Sequence, residues 1–144
     1  THWAWRRPVM AAAATPLPSA PPATALVREA DGSLRFTAKP PPGARTLEVR
    51  LKSSTAARIT SLAGVPLEVA LAPGKWVTVH WQAPGDGLDL AIKASAPGRL
   101  DVRYIATVER WPEGAASLSP RPSDLMAWDN SDSTFITGSR AYAW

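Results

Sequence analysis

From Thr24 to Trp111 apolar and polar residues alternate with a period of two. That is the pattern of strands with one buried and one wet face. The stretch "TALVREADGSLRFTAK" (24–39) reads as two strands about an Asp31-Gly32 turn, a strong hairpin signal. Its second arm sets Leu34, Phe36 and Ala38 against Arg35, Thr37 and Lys39. "RTLEVRLKS" (45–53) sends Leu47, Val49 and Leu51 to one face and Thr46, Glu48, Arg50 and Lys52 to the other. The pattern runs on through "ARITSLAG" (57–64), "VPLEVALA" (65–72) and "KWVTVHWQ" (75–82). In the last of these, Val77, Val79 and Trp81 oppose Trp76, Thr78 and His80. "LDLAIKA" (88–94), "RLDVRYIATVERW" (99–111) and a final run "STFITGSRAYAW" (133–144) complete the set.

About eight or nine short strands, with turn signals roughly every 8–12 residues, predict an all-β fold, an antiparallel β-sandwich of jelly-roll or immunoglobulin-like type. One-sided alternation gives each sheet a core face and a solvent face. Residues 112–132 break the alternation, and the final strand is expected to return across them and pair with an earlier one. The domain therefore covers 24–144. Residues 1–23, "THWAWRRPVMAAAATPLPSAPPA", read differently. The Ala/Pro-rich half is an extended, semi-rigid linker. Trp3, Trp5, Arg6 and Arg7 before it have the make-up of a juxtamembrane segment, since indoles favour the headgroup region.

Composition sharpens this picture in a few places. A chain of 144 residues is one domain's length and can bury a core without staples. Its 15 prolines suit a turn-rich β domain, and the absence of cysteine removes disulfides and thiolate chemistry. The net charge of +4 raises nucleic acid as a partner. The basic residues are scattered singly beside carboxylates, and Arg6-Arg7 is the one adjacent pair, so no nucleic-acid partner is expected. No apolar run reaches the ~18 residues of a membrane span. The chain starts at Thr1, which reads as a piece of something longer.

Catalytic and metal motifs are missing from the sequence. His2 and His80 are the two histidines; there is no nucleophile elbow, no phosphate-cradling glycine loop and no short-spaced zinc set. No cofactor is expected in this chain. "DNSDS" (129–133) offers oxygen ligands for calcium through Asp129, Asn130, Asp132 and Ser133. The helical calcium loop would need glycine where Thr134 stands and glutamate where Arg140 stands, and the same residues serve a turn. Among the 7 tryptophans, Trp76, Trp111 and Trp128 could together form a sugar-stacking platform. Alternation places Trp76 outward with His80, so Trp76, His80 and Trp111 are the candidate binding residues. A carbohydrate- or surface-binding sandwich is the corresponding alternative function, and an independent hydrolase is a third.

The order of "RTLEVRLKS" (45–53), "KWVTVHWQAPGDGLDLAIKA" (75–94) and the ending "RPSDLM…SDSTFITGS" resembles the C-terminal region of bacterial membrane-bound zinc peptidases of metallopeptidase family twenty-eight, relatives of the endoplasmic-reticulum metallopeptidase. "ATVERWPEG" (106–114) departs from the family, keeping only Pro112 and Gly114 of its turn. The resemblance implies a soluble β domain behind a di-zinc peptidase domain and several membrane spans. Here it would act as a non-catalytic accessory domain in protein interaction, substrate access or stability, at the periplasmic face of the inner membrane. The implied partner is the peptidase domain of the same polypeptide or another extracytoplasmic protein, with the membrane met only through upstream spans. None of the family's zinc ligands has a counterpart in these residues. The resemblance also implies a structural belt at 121–133. The belt opens with Arg121, Pro122 breaks the chain, Leu125, Met126 and Trp128 plug one end of the sandwich, and Asp132 and Ser133 start the last strand.

Overall fold

The computed structural model describes residues 22–82, 84–112, 114–115, 122–124 and 133–144. Among these residues nine strands stand in the order β1 (Ala23–Arg28), β2 (Leu34–Lys39), β3 (Ala44–Ser53), β4 (Ala57–Leu62), β5 (Val65–Leu71), β6 (Trp76–Gln82), β7 (Leu88–Ala94), β8 (Arg99–Val108) and β9 (Thr134–Ala143). They form a five-stranded sheet, β1-β2-β7-β4-β5, and a four-stranded sheet, β6-β3-β8-β9, antiparallel throughout. The fold is thus the all-β sandwich that the alternation predicts.

Local chemistry shapes two of the turns. Between β1 and β2, Gly32 takes φ +82°, a value that residues with a side chain rarely adopt. Beside it, Asp31 Oδ1 accepts from the Ser33 amide at 2.9 Å and the Ser33 hydroxyl at 2.6 Å. These bonds hold the Asp31 carboxyl below the usual carboxylate range. Between β4 and β5 the chain reverses on two residues, Ala63 and Gly64, both at positive φ, which fits the twist of a tight hairpin.

The core lies between the sheets and is made by the inward residues of the alternation. Leu34, Phe36 and Ala38 of β2 and Leu88, Leu90 and Ile92 of β7 meet Leu47, Val49 and Leu51 of β3 and Leu100, Val102 and Tyr104 of β8, all buried. A side chain of leucine or phenylalanine size contributes about 1.5–3 kcal/mol on burial, so these central strands carry most of the cohesion.

The strand order selects between the two sandwich types. In the immunoglobulin-like order, strands A-B-E-D face C-F-G. Here β1-β2-β7-β4 faces β3-β8-β9 in that order, with β5 added beyond β4 and β6 beside β3. The sandwich is immunoglobulin-like, not a jelly roll. The final strand pairs with β8, its immediate predecessor, from Val108↔Thr134 to Arg99↔Ala143. The long connection therefore returns the chain to the strand it left.

One flank of the sandwich is closed by β1 and β9. The hydroxyls of Thr24 and Tyr142 lie 2.6 Å apart, and Tyr142 meets Phe36 edge-on with ring centroids 6.3 Å apart. The chain past β9 is tied to the β7–β8 turn, where the Trp144 amide donates to Gly98 O at 3.1 Å and Trp144 Nε1 donates to Ala96 O at 3.0 Å. β5 and β6 occupy the opposite flank.

Candidate interaction face

The candidate residues on β6 sit on the outer face of the four-stranded sheet. Because β6 follows a strict alternation, Val77, Val79 and Trp81 turn toward the core while Trp76, Thr78, His80 and Gln82 are exposed. Pairing with β3 and β8 lays the outer face out in cross-strand rows. Trp76, Lys52, Asp101 and Ala141 make the first row; Thr78, Arg50, Arg103 and Ser139 the second. His80, Glu48, Ile105 and Thr137 make the third, and Gln82, Thr46, Thr107 and Phe135 the fourth.

Trp76 is 37% exposed, with Lys52 Nζ 4.9 Å and the Arg103 guanidinium carbon 4.7 Å from its ring centroid. Contacts of this kind are worth about 0.5–1 kcal/mol at exposed sites, and they fix where the indole lies. Asp101 accepts from Arg99 Nε at 2.7 Å and lies 3.2 Å from Lys52 Nζ. The hydrogen bond from Lys52, and after it the one from Arg99, hold the Asp101 carboxyl below the usual range. One row further, Glu48 takes Arg50 Nε at 2.6 Å and stands 3.4 Å from His80 Nδ1.

The centre of the face is unusual. Arg50 and Arg103 are directly opposed on adjacent strands, an arrangement that is destabilising for like charges. Their guanidinium groups turn apart, Arg50 toward Glu48 and Arg103 onto Trp76. Lys52, Arg50, Arg99 and Arg103 outnumber Asp101 and Glu48, so the upper half of the face is cationic.

Three shallow cavities run in series along this face. The first, about 340 Å³, lies among Lys52, Trp76, Arg99, Asp101 and Arg103. The second, also about 340 Å³, lies among Arg50, Arg103, Ile105 and Ser139. The third, about 430 Å³, lies among Glu48, His80, Gln82, Ile105 and Phe135. Shared linings make them one groove from Trp76 at one corner to Phe135, 51% exposed, at the other.

The structure brings Trp76 and His80 onto this face, and Trp111 lies past the far end of β8 from Trp76. Trp111, 52% exposed, follows the end of β8, whereas Trp76 is in the row of Asp101 near its start. Seven residues of strand separate Asp101 from Val108, roughly 23 Å at 3.3 Å per residue, so the two indoles do not form a joint platform. Pro122 is exposed; Arg121, Met126, Trp128 and Asp132 lie outside the described residues, as do Asp129 and Asn130 of the calcium candidate. The residues missed from sequence, Lys52, Arg50, Arg103 and Phe135, were all on outward positions. Grouping them required the strand order.

Protein-family models, curated proteins and solved structures were compared with this chain, and none of them matches it.

Proposed function

We propose that this chain is a non-catalytic, extracytoplasmic accessory domain of a membrane-bound zinc peptidase, and that it works by protein interaction through the outer face of β6-β3-β8-β9. The observation that supports an interaction role is the opposed Arg50/Arg103 pair in a groove anchored by Trp76. Arg50 and Arg103 turn apart, to Glu48 and to Trp76, yet start from directly opposed positions, so both can swing back onto a carboxylate that docks between them and give it charge-assisted hydrogen bonds. The partner is accordingly an acidic surface, on the peptidase domain of the same polypeptide or on another extracytoplasmic protein. The zinc-peptidase setting rests on the resemblance of 45–53, 75–94 and the C-terminal run. Sugar stacking is the weaker reading, because two cations already occupy the vicinity of the Trp76 ring.

Two measurements test this. Reading the coding sequence upstream of Thr1 should reveal membrane spans preceded by a His/Asp/Glu zinc constellation; a glycosidase domain there would overturn the setting. In the full-length protein, a photo-crosslinking residue at Ile105 should capture an extracytoplasmic protein surface, and one at Thr37 on the other sheet should not. Equal capture from both faces, or from neither, would remove the groove as the docking site.

A further inference from the structure

Among the described residues the sandwich has four edge strands, β1 and β5 in one sheet and β6 and β9 in the other. Open edges offer unpaired backbone groups to other strands, and proteins blunt them with inward-pointing charges, prolines or bulges. Three of these edges carry such a device. On β1, Arg28 is paired with buried Leu34 and so occupies an inward position, yet is exposed. On β9, Arg140 does the same opposite buried Val102. β5 contains Pro66 and lies against a bulge at Ile59/Ser61. β6, "WVTVHWQ", has no Lys, Arg, Asp, Glu, Pro or Gly, and it pairs with β3 in unbroken register.

We propose that the edge of β6, which no described strand covers, is a self-association edge, onto which β6 of a second copy of this chain adds antiparallel about Val79. The occupant follows from the strand's own symmetry. Pairing about Val79 engages all seven residues and keeps every side chain on its proper face, because positions related by that axis have the same parity. Val77 lies beside Trp81 of the second copy and Val79 beside its counterpart, which completes a half-buried apolar row. On the outer face Thr78 lies beside His80 of the second copy and Trp76 beside its Gln82, so no like charges meet at the seam. One strand back, the row of Glu48 aligns with the row that holds Arg50 in the other copy. A second observation lies on the same flank: β5 leaves Val65 64% and Val69 37% exposed, on the side where the two copies would approach. The product is one continuous eight-stranded sheet, β9-β8-β3-β6 running on into its symmetry mate. About six main-chain hydrogen bonds across a seven-residue antiparallel pair make the association weak and concentration-dependent.

Sedimentation velocity of the 144-residue chain over a concentration series should show a monomer passing to a dimer. Hydrogen exchange followed by NMR in the same series should show concentration-dependent protection at alternate amides of β6 and at no other edge. Val79→Lys, which gives β6 the device that β1 and β9 already have, should weaken association by roughly tenfold or more. A wild-type chain that stays monomeric with unprotected β6 amides overturns the proposal. So does a dimer that survives in folded Val79→Lys. If that variant fails to fold, the site of amide protection in the wild type decides alone.

Discussion

The ring of Tyr104 crosses β9 at Gly138, its cross-strand partner. A Cβ at position 138 would run into the Tyr104 hydroxyl and ring, so this position is glycine because of its neighbour, not because of its own backbone angle. Gly138→Ala should therefore destabilise the fold by about 1–3 kcal/mol, as overpacking does. Adding Tyr104→Leu should recover part of the loss in urea melts, and strict additivity of the two changes would show that the contact is not the cause. A second residue-scale prediction concerns Asp101, whose carboxyl is held low by Lys52 and then Arg99. A depressed carboxylate contributes its stability in full above the ordinary value and loses it as pH falls through the lowered, folded-state value. The Asp101 carboxyl carbon, followed by NMR, should thus titrate below an ordinary aspartate. Lys52→Met should move the midpoint upward; an unmoved midpoint would contradict Lys52 as the leading cause.

Elements were legible in the sequence wherever one face of a strand is buried. Leu47, Val49 and Leu51, then Leu88, Leu90 and Ile92, mark β3 and β7 by alternation alone, and both triplets are buried. The Asp31-Gly32 turn fixes the β1–β2 hairpin by its own chemistry. β5 shows where the signal thins: it is an edge strand with exposed residues on both faces, so burial hardly constrains it. Partners of the strands were not legible. Alternation records which way a side chain points and says nothing about which strand lies alongside, so the opposition of Arg50 and Arg103 could not be read from "RTLEVRLKS" and "RLDVRYIAT" separately. The same limit left the partner of the last strand unnamed, because a long connection suits a distant strand as well as the preceding β8 with which it pairs. Trp76 and His80 were identified as outward by parity, which is a property of one strand. Trp111 lies beyond the end of β8, outside the register that places the other two.

At the scale of the molecule, the two sheets interlock. β2 and β3 are consecutive in the chain but belong to different sheets, and each waits for its inner partner among the equally consecutive β7 and β8. Arg35 of β2 hydrogen-bonds to Asp89 of β7 across 54 residues of sequence. Sandwiches built on such distant pairings fold in milliseconds to seconds. Stopped-flow refolding should place the main phase there, and full recovery within microseconds would contradict it. The order of events has a further consequence while the chain is being made. At about 5–20 residues per second, roughly 3–11 s pass between the appearance of Lys39 and that of Ala94. Throughout that interval the β1–β2 hairpin is at best marginally stable and β3 lacks β8. How well this protein is produced will depend on what shields its half-built sheets during those seconds, more than on how stable the finished sandwich is.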